Sequence, residues 1–251
     1  MNWMCSRSRR ASARRVVITA AGAAMIAIAP LGAQTQSLFV NPSADEPIVK
    51  GAPYSAESII NVKMRMFDGT QIDRSVTGRI YRDNLGRVRR DQTIIGLEAL
   101  DPAKDVRAVV IIVDPVTNSL YTLVPDSKTA NRLSIDVLRH GSPNVGGQHP
   151  KEEPLGKRDI DGIATIGYRM TTTIPVGQVG NDRPITVVDE RWESSELKVI
   201  IESRHLDPRT GEVEYRLTKI SRKEPPADLF KIPAGYKIVD IPPKGPESGR
   251  D

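Results

Sequence analysis

Three histidines, His140, His149 and His205, are the only imidazoles in 251 residues, so metal or general-base chemistry through imidazole would have to use them. His140 and His149 share a Gly- and Pro-rich stretch with Glu152 and Glu153, and imidazole with carboxylate is a donor set that zinc accepts. Their spacing matches no familiar metal motif, and a Gly-rich loop holds ligands in poor geometry. A solvated loop accounts for the same residues. His205 follows Arg204 near the end of an apolar-alternating run and fits an exposed strand position. Asp159 and Asp161 stand two apart, which places a general acid and base on one face of a strand. Asp161-Gly162 is equally ordinary hairpin chemistry. Asp189-Glu190 is a further carboxylate pair with no partner motif. No nucleophile elbow, His-Glu-x-x-His helix, phosphate-binding lysine loop or dinucleotide fingerprint occurs. The inventory predicts a protein that is not an enzyme and that uses no cofactor or metal.

Side chains suited to binding are easier to find. Trp192, between Glu190-Arg191 and Glu193, closes an apolar-alternating run. Such a ring stacks on a ligand or anchors a partner, or it plugs the rim of a core. Met64, Met66 and Met170 fall on expected inward faces, where flexible thioethers line a yielding lipid pocket or simply fill space. Met64, Met66, Met170 and Trp192 are therefore the candidate ligand-binding residues.

The first 33 residues look like an address. Arg7, Arg9, Arg10, Arg14 and Arg15 form a basic head without acidic residues, Val16 to Ala29 is uncharged and apolar, and Pro30 to Ala33 ends in small residues. These are the three parts of a secretory signal peptide, with cleavage expected after Ala33. The apolar run is shorter than the roughly 20 residues that span a bilayer; an uncleaved anchor is the alternative. The arginine pairs allow a twin-arginine route beside the general secretory one, and either engages the export machinery. A periplasmic or secreted location follows. Cys5, the one cysteine, precedes the apolar run, which excludes the usual lipoprotein attachment layout.

Export changes the charge balance. The chain has 36 Lys+Arg against 31 Asp+Glu, and losing the five head arginines leaves 31 of each. The basic character belongs to the signal, so nucleic-acid binding is not expected. The remaining chain has no cysteine, hence no disulfide, thiolate metal site or thiol nucleophile. Roughly 220 residues can bury a sufficient core as one domain.

The elements that must position these side chains follow from periodicity. Gln34 to Pro53 is polar and Pro-containing, a flexible arm by composition. Ile60, Val62, Met64 and Met66 then alternate with polar neighbours, the signature of a half-buried strand. Ile72, Val76 and Ile80 continue the pattern after Asp68-Gly69, and Val88 to Ile95 should pair back. Val109 to Val113 is β-branched throughout, as in a strand covered on both faces. Asp114-Pro115-Val116-Thr117-Asn118 and Asp207-Pro208-Arg209-Thr210-Gly211 are two turns of one design. Residues 139–154 form the best loop candidate. Helix is expected only at Pro226–Phe230 and over Ser127–Leu133. About ten or eleven strands result, compatible with a sandwich, an open barrel or a strongly curved sheet. The expected organisation is a signal peptide (1–33), the arm (34–53), an antiparallel β domain (54–241) and a disordered tail (242–251).

Two resemblances sharpen this. Ala164 to Pro175, Glu190-Arg191-Trp192, Asp207-Pro208-Arg209 and Arg222-Lys223-Glu224-Pro225 are similar to a group of uncharacterised exported bacterial proteins. More remotely, the closing order resembles the periplasmic lipoprotein-carrier superfamily of LolA, LolB and RseB-like domains. It consists of a run ending in Glu190-Arg191-Trp192, a hairpin, Leu229-Phe230 with Pro233, and a last strand at Tyr236–Ile241. That resemblance implies an all-β, mainly antiparallel single sheet or half-barrel curved around an apolar cavity. The chain departs from the carriers at its arm, which lacks the pattern of their N-terminal helix. The expected function is an envelope protein that binds a lipid, lipoprotein or other apolar ligand in a concave sheet. The alternative is an interaction or sensor module with a filled core and an envelope protein partner.

Overall fold

The alternation expected from the sequence builds twelve strands among the described residues. A computed structural model describes residues 47–95, 106–136 and 152–242. The signal peptide, most of the arm, His140 and His149, and the tail from residue 243 lie outside the described residues. The strands are β1 (Tyr54–Arg65), β2 (Gln71–Arg82), β3 (Val88–Ile95), β4 (Val106–Asp114), β5 (Ser119–Val124) and β6 (Thr129–Ser134), then β7 (Glu152–Ile160), β8 (Ile163–Ile174), β9 (Ile185–Ser194), β10 (Val199–Asp207), β11 (Gly211–Ser221) and β12 (Lys237–Asp240). They form one sheet in the order β12-β6-β5-β4-β3-β2-β1-β11-β10-β9-β8-β7. Every neighbouring pair is antiparallel except β12, which lies parallel to β6. The all-β, mainly antiparallel single curved sheet with little helix is thus correct, with one or two strands more than expected.

One surplus strand is β6. The helix expected over Ser127–Leu133 is a single 3-10 turn, Pro125–Ser127, which Lys128 ends with a left-handed φ of 48°. Six residues, Thr129 to Ser134, then pair with β5. Inter-strand hydrogen bonds and a buried Ala130 outweigh a weak local helical preference.

The two Asp-Pro turns form as their chemistry dictates. Asp114 Oδ1 accepts from the Val116 N–H at 2.9 Å, and Asn118 takes a positive φ of 51°. Asp207 Oδ1 accepts from the Arg209 N–H at 2.8 Å. Asp159 serves a turn as well, its Oδ1 accepting from Gly162 N–H at 2.8 Å, while Asp161 pairs with Arg216 at 3.1 Å.

Register assigns each side chain to a face. On β1, Tyr54, Ala56, Ser58, Ile60, Val62 and Met64 share one face and Ser55, Glu57, Ile59, Asn61, Lys63 and Arg65 the other. Leu217, opposite Ser58, and Tyr215, opposite Ile60, extend the first face onto β11. A main core gathers Tyr54, Ala56, Ile80, Ile201, Tyr215 and Leu217. A second core, Ile112, Leu123 and Ala130, lies on the opposite face and is capped by Ile232 and Tyr236 from the C-terminal segment. With Val109 and Ile111 buried on one side and Ile112 on the other, β4 is covered on both faces as expected.

The described end of the arm is attached to the sheet. Gly51 N–H donates to Asn84 O at 3.1 Å, Arg82 Nε donates to Ala52 O at 2.9 Å, and Val49 is buried. The C-terminal segment is tied down likewise: Arg89 Nη1 donates to Leu229 O at 2.9 Å, and β12 adds the Arg132–Asp240 ion pair at 2.5 Å.

Candidate functional site: the concave cavity

One cavity of about 420 Å³ is lined from both flanks of the sheet, by Val88 and Arg90 of β3 and by Ile166 and Tyr168 of β8. Five strands stand between β3 and β8, which in a flat sheet would set them roughly 29 Å apart. A volume this small can touch both only if the sheet curls toward it. The face bearing Tyr54, Tyr215, Val88 and Tyr168 is therefore concave.

The cavity wall is built by alternation. Tyr54, Val88, Ile166, Tyr168, Val199 and Tyr215 supply its apolar part. Val88, Ile166 and Tyr168 are only half-buried, leaving apolar surface toward the opening. Charged side chains line the same volume: Arg82, Arg90, Lys198 and Glu193. Arg82 is 5% and Arg90 7% exposed. Arg82 also donates through Nη2 to Leu197 O and lies 4.7 Å over the Tyr54 ring, so one guanidinium ties the arm, β2 and the β9–β10 turn together. Glu193 is engaged by Arg191 Nε at 2.5 Å, and Arg191 also reaches Glu152 at 2.8 Å. Farther along this face His205 Nδ1 lies 2.6 Å from Asp189 Oδ1.

The four residues proposed from sequence are dispersed. Met64 on β1 and Met170 on β8 are half-buried on the concave face, outside the cavity lining. Met66 falls beyond β1, in the turn to β2, and is 41% exposed. Trp192 faces the other way. It pairs with Gly167 across β8–β9, and a Cβ on Gly167 would come within 2.6 Å of its ring. Arg158 covers the ring at 4.0 Å. The indole thus lies between a glycine and a guanidinium on the convex side.

That side has a groove of its own, about 470 Å³, beside Trp192. A cross-strand row of alternating sign runs here, Glu153, Arg169, Glu190, Arg204 and Glu214 on five successive strands, and all but Glu153 line the groove. Arg169 meets Glu190 at 2.7 Å, Arg158 meets Glu202 at 2.5 Å, and Arg204 holds Glu212 below the ordinary carboxylate range through a hydrogen bond. These charges satisfy one another. The groove has less apolar wall than the concave cavity, which makes the cavity the candidate site.

The residues that sequence reasoning missed are Tyr54, Arg82, Val88, Arg90, Tyr168 and Tyr215. A signal existed for the two arginines. Arg82 continues the inward phase of Val76 and Ile80, and Arg90 that of Val88, so each is a charge written at an apolar register.

No protein-family profile matches the chain, and no curated protein matches it. Similar solved structures include an uncharacterised conserved protein from Thermus thermophilus, at 9% identity and TM-score 0.44, covering 76% of this chain and 91% of that one. Another is MucB of Pseudomonas aeruginosa in its complex with MucA, at 12% identity and TM-score 0.43, covering 79% of this chain and 60% of that one. A LolA superfamily protein from Nitrosomonas europaea aligns at 13% identity and TM-score 0.34, over 78% of this chain and 96% of that one. A LolA superfamily protein, the group that the sequence resembles, is thus among these neighbours.

Proposed function

We propose that this chain is an exported cell-envelope protein that holds a lipid or other apolar ligand in the concave cavity of its sheet. The observation that carries the reading is the half-exposed apolar wall of Val88, Ile166 and Tyr168 around about 420 Å³. Ligand sites of small molecules occupy a few hundred Å³ with mostly apolar walls and a few placed polar groups. Met64 and Met170 extend the apolar track on the same face, and their flexible side chains suit a ligand of variable chain. The role proposed is binding, with a lipid or lipoprotein as cargo and an envelope protein as the party that delivers or receives it.

The test is native mass spectrometry of protein exported and purified without detergent. Co-purified lipid, or uptake of added long-chain fatty acid or lipopeptide in a fixed ratio, is the expected result. A bare mass with no uptake of either would remove the reading.

A further inference from the structure

We infer that the end of the sheet bearing the β1–β2 and β8–β9 hairpin tips docks on a zwitterionic phospholipid bilayer. Met66 and Phe67 from one tip and Val176 and Val179 from the other enter its headgroup layer. This goes beyond the apolar-ligand reading above and names the surface from which such a ligand enters the concave face.

Register shows which hairpins project. Lys63, Glu212, Leu206, Val188 and Thr171 form one row across β1, β11, β10, β9 and β8. Past that row the β10–β11 ladder adds only Asp207–Gly211. The β1–β2 ladder adds Met64–Ile72 and Arg65–Gln71, and β8–β9 adds Thr172–Val187, Thr173–Thr186 and Ile174–Ile185. Two longer hairpins thus flank a shorter one, with about 14 Å of sheet between β1 and β9. Their apices are apolar where water would favour polar residues: Phe67 is 102% exposed, Val176 59% and Val179 56%. Behind them Met64, Ile72, Ile174 and Ile185 lie half-buried on the concave face and continue the apolar track toward the cavity.

An apolar tip can leave water only if its backbone does not abandon hydrogen bonds in doing so. Both tips meet that condition. Met66 N–H donates to Thr70 O at 2.8 Å and Gly69 N–H to Met66 O at 3.0 Å, while Thr70 N–H donates to Asp68 Oδ1 at 2.9 Å. In the longer loop Gly177 N–H donates to Asn181 O at 2.8 Å and Val179 N–H to Asn181 Oδ1 at 3.2 Å. Asn181 Nδ2 donates to Pro175 O at 2.9 Å and to Arg183 O at 2.6 Å. The loop's polar groups are spent on one another, and Val176 and Val179 are left outward.

Charge decides the kind of membrane. Arg65, Arg183 and Arg209 stand at these three turns against Asp68, Asp182 and Asp207, and Arg209 pairs with Asp207 at 2.6 Å. Without a cationic excess, attraction to anionic lipid contributes little, and apolar entry into a zwitterionic surface carries the binding. A protein partner would call for a contiguous patch ringed by residues that exclude water. Two separated apices suit a flat, yielding surface better.

The test is flotation of the exported protein, purified without detergent, with phosphatidylcholine vesicles. It should float with them, equally well in high salt and with phosphatidylglycerol added. Phe67→Asp combined with Val179→Asp should lower partitioning at least about tenfold and leave the thermal melt unchanged, since both positions are exposed. The same variant should still take up fatty acid by native mass spectrometry, which separates docking from ligand binding. Equal flotation of variant and wild type would overturn the proposal, as would flotation that needs phosphatidylglycerol and vanishes in salt. Wild-type protein that takes up fatty acid yet never floats would overturn docking alone; a protein crosslinked at Phe67 in intact cells would then be the partner in place of lipid. Flotation through the tips without any uptake of fatty acid would support docking and remove the apolar-ligand reading.

Discussion

The two faces of β7 to β11 are written in the same strings of residues, yet they obey different rules. The convex face carries Glu153, Arg169, Glu190, Arg204 and Glu214 in a row of alternating sign, each charge answered by a neighbour. The concave face carries Tyr168 and Tyr215 around an open volume, which Val88 reaches from β3. Self-cancelling charge makes a surface that wants only water. Half-buried apolar wall facing an open volume makes a surface that gains from being covered. The proposed function rests on that difference and not on cavity size, since the two volumes are similar, about 470 and 420 Å³.

The contrast can be broken at several depths. Leu217 is fully buried in the main core, and Leu217→Ala should cost about 2–5 kcal/mol in chemical denaturation, the largest effect here. A loss under about 1 kcal/mol would mean that the inner face is not what holds the sheet. Gly167→Ala drives a methyl into the Trp192 ring and should cost about 1–3 kcal/mol. Tryptophan fluorescence should shift with it; an unchanged spectrum would show that the indole is not packed on that glycine.

Acid should act through Asp207. The Arg209 side chain, hydrogen-bonded at 2.6 Å, holds its carboxyl below the ordinary range despite burial. A depressed folded-state pKa contributes stability above the unfolded value of about 3.9 and loses it as pH falls through the lower folded value. Melting temperature should therefore drop on acidification below about pH 4. Asp207→Asn should be less stable near neutrality and show a shallower acid limb; an identical limb would assign the acid sensitivity elsewhere. Smallest of all, Arg204→Gln interrupts the convex row at a solvent-exposed pair, where about 1 kcal/mol or less is at stake and salt should mask it. A salt-independent loss of several kcal/mol would make the charged face a structural brace after all.

Much of the fold was legible because alternation and turn chemistry are local. Ile163–Ile174 follows Asp161-Gly162 as a strand, and both Asp-Pro turns close through the aspartate hydrogen bonds their composition implied. The miss at β6 came from reading Ser127–Leu133 alone, when β5 and β12 on either side are what make Thr129–Ser134 a strand. The candidate binding residues were less legible. Met66 looked inward by parity, but the strand ends at Arg65, and Trp192 is aromatic enough for a pocket yet falls on the outward register.

The sequence by itself determined that this chain is a series of antiparallel strands with particular residues sharing each face, because period-two patterning and positive-φ turn residues act within a few residues of themselves. Which face is concave, and that Val88 and Tyr168 meet across one cavity while five strands separate theirs in the sheet, was decided only by the tertiary structure. Curvature accumulates from the twist and bulges of every strand at once, and no single stretch of residues carries it.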